Sequence, residues 1–158
     1  MIRSLTFFIL LTLFVPGCGD RLSMSASSME PTISKGETIT IDRGAYSKGG
    51  PRRWDVIVFT HPETKKLWVA RLVGLPGETI DIRAEGVFIG DKLQVQPENI
   101  KLIKFLPQIP GIPTKLSLPH VIASGEYFFL GDNSSAARDS RYSGTVPLSS
   151  IIGRVNGK

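Results

Sequence analysis

The chain has 158 residues, enough for one domain with a core of its own, and its 16 glycines and 11 prolines suit a turn-rich β fold better than a helical one. A formal charge of +5 is compatible with an anionic membrane surface. Arg52-Arg53 and Lys65-Lys66 are the only basic doublets, however, and no basic run is interleaved with aromatics, which argues against a nucleic-acid partner. The single cysteine, Cys18, excludes an intrachain disulfide and a CxxC metal site, and no cofactor is expected.

The N-terminus carries Arg3 and then an almost wholly apolar run from Leu5 to Val15, broken by Pro16-Gly17-Cys18-Gly19-Asp20. The run is shorter than the ~20 residues of an ordinary membrane-spanning helix. Its length and flanks fit a secretory signal, and Gly17 before Cys18 resembles a bacterial lipoprotein cleavage box in which the cysteine becomes the lipidated first residue. A plain signal peptide and a short uncleaved anchor remain alternatives for residues 1–18. Each places the body of the chain, 24–158, outside the cytoplasm. Nine residues separate Cys18 from Ser28, so an anchored N-terminus keeps Ser28 within ~35 Å of the membrane.

Beyond this segment, Ser27-Ser28-Met29-Glu30-Pro31-Thr32 offers a hydroxyl beside a proline-stiffened turn. Alternation in Glu37–Asp42 predicts a half-buried strand, and the unbroken apolar run Asp55–Phe59 predicts a strand buried on both faces. His61–Lys65 reads as a hairpin connection leading into a returning strand, Leu67–Val73. A turn at Gly74–Glu78 follows, with Gly77 suited to positive φ after Pro76. Thr79–Ile82 is another alternating strand, and Gly90-Asp91 is a two-residue hairpin signal between Gly86–Ile89 and Lys92–Val95. Pro97–Pro119 lacks a clean period and reads as an extended insertion crossing the domain. Tyr127–Leu130 is a buried strand, Ser134–Gly144 a polar loop, and Val146, Ile151, Ile152 and Val155 suggest one last strand. No helix of useful length and no internal repeat is expected after residue 20. The fold class is therefore all-β: a single domain of coiled antiparallel sheets or a partial barrel.

Four of these stretches, in this order, carry a family resemblance. Ser28-Met29-Glu30-Pro31-Thr32 is similar to the nucleophile box of the type I signal peptidases, and Asp55–Phe59 to their apolar strand. Arg71-Leu72-Val73-Gly74-Leu75-Pro76-Gly77-Glu78 resembles their Arg-x-Val-Gly-Leu-Pro-Gly-acid box. Gly131-Asp132-Asn133, Asp139-Ser140-Arg141, Gly144 and Val146-Pro147 resemble their last box. The resemblance implies a serine endopeptidase that cuts exported preproteins after small residues at the membrane surface, using a Ser-Lys dyad. Such chemistry needs a hydroxyl within reach of a neutral amine whose pKa is lowered by apolar surroundings, and an oxyanion hole.

Set against that pattern, the nucleophile position is Ser28, but the position of the general-base lysine is Ala70. The serine that supports the lysine, two residues before Asp139, is Ala137, and a hydroxyl two before the nucleophile is Ala26. The expected function is that of a signal-peptidase-like protein of the bacterial cell envelope with catalysis lost or weakened, which binds extended peptide by addition to a sheet edge. Two alternatives stand beside it: an active peptidase with a relocated base, and a non-catalytic peptide-binding or structural lipoprotein. For a relocated base, Lys66 lies four residues from Ala70, ~13 Å along a strand, and Lys65 faces the opposite side. His61 and His120 read as solvated loop residues. Arg71, Asp139 and Arg141 are expected to form a charge cluster, Asp132 to be a turn residue, and Trp54 and Trp68 to be either membrane-interface anchors or strand-packing aromatics.

Overall fold

β-Branched and aromatic residues crowd the segments that become strands, and glycine, proline and charged residues occupy the turns between them. The computed structural model describes residues 20–158; the segment 1–18, with Cys18, lies outside the described residues. The strands are β1 (Asp20–Ser23), β2 (Thr38–Asp42), β3 (Val56–Thr60), β4 (Leu67–Gly74), β5 (Thr79–Arg83), β6 (Gly86–Ile89), β7 (Lys92–Leu93), β8 (His120–Val121), β9 (Glu126–Leu130), β10 (Val146–Pro147) and β11 (Ile151–Val155). One helical turn, α1 (Ser140–Ser143), is capped by the Asp139 side chain. The pairings are antiparallel and form a seven-stranded sheet, β1-β2-β11-β3-β4-β9-β10, and a four-stranded sheet, β7-β6-β5-β8. The all-β expectation of a coiled antiparallel sheet and partial barrel holds as a curled half-barrel.

The large sheet is apolar on both faces at its centre. Val56 and Val58 of β3 and Val69 of β4 join Met24, Met29, Ile33, Ile39, Ile41 and Val155 on one side. Ile57 and Phe59 of β3, with Ala70 and Leu72 of β4, pack with Tyr127, Phe129 and Val146 on the other. This period-two division explains why β3 reads as a continuous apolar run: it feeds two cores at once. No helix among the described residues is long and apolar enough to cross a membrane.

Three features depart from the sequence reading. The sheet begins at Asp20, ahead of residue 24, because β1 pairs along its length with β2. The anticipated single last strand is two: β10 pairs with β9, while β11 lies between β2 and β3. A single turn of 3-10 helix, Leu148–Ser150, separates them, and Pro147 lacks the N–H that a longer ladder would need. Third, the segment 97–119 is no mere insertion. Ile100, Ile103 and Phe105 are buried in the core that closes the small sheet against Phe128 and Leu130, and the Phe105 ring stacks 6.0 Å from Trp54. Gln96 ties this segment down, its Nε2 donating to the carbonyls of Ile100 and Ile103. Burial here is achieved without a strand, so no period betrays it in the sequence.

A truncation in this segment therefore acts as a core mutation. Phe105→Ala should destabilise the domain by about 3–5 kcal/mol, read as a lower urea midpoint at unchanged slope. A cost below about 1 kcal/mol would mean that the segment is peripheral.

Candidate functional site

Between β1 and β2 the chain makes the turn that carries Ser28. Met29 and Ile33 are its anchors: both are fully buried, and the Ile33 N–H donates to the Met29 carbonyl at 2.9 Å. Their burial leaves Ser28 half-buried at the surface of the core. From above, the Gly131-Asp132-Asn133 segment clips the same turn. The Asn133 N–H donates to the Ser28 carbonyl at 3.0 Å and its Nδ2 to the Ser27 carbonyl at 3.2 Å. Gly131 is required by this approach: a Cβ there would stand 2.7 Å from the Ser28 carbonyl oxygen and overlap the Ala137 Cβ.

What holds the two segments together is an ion pair below them. Arg71 lies in the apolar middle of β4 and is 1% exposed. Its guanidinium forks onto Asp132, Nε to Oδ1 at 2.7 Å and Nη2 to Oδ2 at 2.6 Å. Nη1 donates to the Trp54 carbonyl at 2.7 Å, and Nη2 also reaches Thr32 Oγ1 at 3.2 Å. The Thr32 hydroxyl in turn donates to Asp132 Oδ2. Three distant stretches of chain thus meet on one buried carboxylate. Asp132 is therefore the partner of Arg71 and not merely a turn residue. The expected cluster of Arg71, Asp139 and Arg141 is in fact two pairs. Arg141 forks onto Asp139, Nε and Nη2 each at 2.8 Å, while Asp139 Oδ2 accepts from the Gly131 N–H at 3.0 Å. Arg141 also donates from Nη1 to the Leu106 carbonyl and from Nη2 to the Ser134 carbonyl. An arginine inside an apolar strand was the signal that a buried carboxylate must exist, since an unpaired charge there is very costly.

Around Ser28 these elements enclose a cavity of about 360 Å³. Its walls include Ser28, Ala26, Ala70 and Ala137, so the nucleophile position and the three alanine positions inferred from the sequence share one site. Met24, Trp68 and Val69 add apolar surface, Ser23 and Ser25 add hydroxyls, and Lys66, Arg138 and Asp139 are its charged residues. Lys66 is the only amine among the residues that line the cavity, and it is solvent exposed; no histidine lines it. Ala70 is buried, paired across the ladder with Ile57.

Neither histidine stands on this wall. His120 is half-buried in β8, in the small sheet. His61 is not a solvated loop residue: it is 4% exposed, its ring lies 4.2 Å from that of Trp68, and its Nδ1 accepts the N–H groups of Glu63 and Thr64. Burial lowers its pKa below the ordinary value, and the charges of Lys115 and Arg138 act in the same direction. Both tryptophans pack on aromatic neighbours, Trp54 on Phe105 and Trp68 on Phe59 and His61.

Two outcomes follow. Asp132→Ala strands a buried guanidinium and should cost about 3–5 kcal/mol, whereas replacing both partners, Arg71→Met with Asp132→Leu, should cost less than the single change. Urea unfolding of the three proteins checks this, and equal or larger loss in the double variant would refute it. For His61, a lowered folded pKa means that the unfolded state binds more protons. Its contribution is fully present above about pH 6.5, the unfolded value, and is lost as pH falls through the folded value. The urea midpoint should therefore drop on acidification below about 6.5, and in His61→Gln this component of the slope should be absent.

Residues 1–157 match the family described as signal peptidase, peptidase S26. Signal peptidase IB of Staphylococcus aureus (strain COL) is 29% identical over 142 residues, covering 85% of this chain and 74% of that protein. Signal peptidase I U of Bacillus subtilis (strain 168) is 33% identical over 141 residues, covering 89% and 72%. A crystal structure of a signal peptidase I from Enterococcus faecalis V583 superposes with a TM-score of 0.53 at 28% identity, covering 66% of this chain and 95% of that one. With the Ser28 box and the last box meeting at one cavity and a family match over nearly its whole length, this chain belongs to the signal peptidase family, peptidase S26.

Proposed function

We propose that this chain is a signal peptidase I-like protein in which hydrolysis is lost or severely weakened, and which binds extended peptide segments of exported proteins at the membrane surface. The observation that carries the reading is the cavity wall: beside Ser28, the positions that resemblance assigns to the base and its support are Ala70 and Ala137. A methyl group neither accepts the hydroxyl proton nor returns it to the leaving amine. Loss of the base in a serine peptidase costs on the order of 10⁶ in kcat. The scaffold that orients Ser28, by contrast, is retained in full: the buried anchors Met29 and Ile33, the Asn133 clip and the Arg71–Asp132 fork. β1 forms one edge of the large sheet, and Leu22 and Ser23 of that strand line the cavity, so an extended peptide added there would run past Ser28. The apolar run Leu5–Val15 supports a tether, signal-derived or lipid-modified at Cys18, that keeps the site at the outer face of the membrane.

A second reading has one observation in its favour. Lys66 lines the same cavity as Ser28, so an amine is present although displaced by four residues from the family position. Against it, the side chain is solvent exposed, and a dyad lysine works as a base only when desolvated.

Cleavage of a preprotein separates the two. The chain should show no turnover above its Ser28→Ala variant, and Ala70→Lys combined with Ala137→Ser should raise turnover above that background. Wild-type cleavage that vanishes in Ser28→Ala would overturn the main reading, and its loss in Lys66→Met as well would install Lys66 as the base.

A further inference from the structure

We infer that the cavity beside Ser28 is a receptor for the free C-terminal carboxylate of a peptide, the chemical form that a cleaved segment has and an intact one lacks. The inference rests on the non-hydrolytic reading above, and it names the ligand of that same site. Its starting point is the balance of charge on the cavity wall. Three ionisable side chains line it: Lys66, Arg138 and Asp139. Asp139 is already committed. Its carboxylate is 4% exposed, is held by both arms of the Arg141 fork and accepts the Gly131 N–H. The two cations are not so engaged. Both are solvent exposed, and neither has an ion-pair partner among the described residues.

They also come from separate elements. Lys66 directly precedes β4, and Arg138 directly precedes Asp139 in the loop that clips the Ser28 turn. An anion entering between these elements meets positive charge from both. The rest of the wall is uncharged: the hydroxyls of Ser23, Ser25 and Ser28 stand among apolar or small residues such as Met24, Trp68 and Ala70. A ligand that suits this lining has a small or apolar body and a single negative terminus. Free phosphate lacks the body, and an internal stretch of peptide lacks the charge.

Alanine at the lysine position supports the same view. A base lysine in this cavity must be neutral to act, and two solvated cations nearby oppose nothing in that state. Once the lysine is alanine, space is released beside Ser28, and the remaining cations make the site one that favours product over substrate. Electrostatic attraction of this exposed kind is modest per pair, so the two together should supply about a tenfold preference at low salt. It should weaken as ionic strength shortens the Debye length.

The test compares two probes that differ only at one end, N-acetyl-tetra-alanine with a free carboxylate and its C-terminal carboxamide. Binding to the full chain is followed by Trp68-sensitive fluorescence and by calorimetry at low salt. The carboxylate form should bind about tenfold more tightly than the amide, and the difference should disappear in Lys66→Met, Arg138→Met. Both positions are exposed, so that variant should keep the parent's thermal midpoint. Equal affinity of the two probes, no binding of either, or a preference that survives in the double variant would each overturn the inference. Preprotein turnover is measured on the same samples. Hydrolysis dependent on Ser28 would overturn the non-hydrolytic reading, whereas absent turnover with equal probe affinities would overturn the carboxylate assignment alone.

Discussion

The fork between Arg71 and Asp132 is the constraint on which the site depends. A guanidinium buried in the middle of β4 is tolerable only when well partnered, and here each of its three nitrogens donates, to Asp132, Thr32 or the Trp54 carbonyl. That requirement draws together the turn after Ser28, the approach to β3 and the end of β9. The Ser28 turn is therefore located by a partner 39 residues away from Thr32 in sequence, as well as by its own turn geometry. Buried ion pairs are weak evidence for stability, since well-packed apolar replacements often do as well. Their stronger effect here is to specify one arrangement: a shifted strand register would leave the charge unpaired.

The same reasoning separates the residues that build the site from those that line it. The residues that fold the site, including Gly131, Asp132, Asn133, Asp139 and Arg141, are tied into buried contacts and cannot be exchanged cheaply. Ala70 and Ala137 are small buried residues that pack without polar partners. A buried amine and a buried hydroxyl at these places would each carry a desolvation cost that alanine does not.

Much of this was legible in the residues. β3 and β4 announce themselves by apolar runs, the small sheet by alternation and the Gly90-Asp91 turn, and the Ser28 box by its likeness to a family. β1 was not, because four residues with two charges at their start carry no period. Nor was the core role of Ile100, Ile103 and Phe105, which are buried from a single 3-10 turn and the irregular backbone after it. Asp132 sits between glycine and asparagine and so looks like turn chemistry; only the fold shows that it faces Arg71. The place of Lys66 and Arg138 on one wall likewise depends on how a hairpin and a loop come to rest, which local pattern does not encode.

The position of β11 has a consequence for how the domain comes into being. This strand ends at Val155, yet it lies inside the large sheet, joining β2 to β3. Until β11 is in place, β1 and β2 have no ladder to the rest of the large sheet. The pairing is between segments about a hundred residues apart, which makes it a slow closure set by chain entropy. A chain emerging N-terminus first thus keeps the large sheet in two parts until β11 arrives to join them.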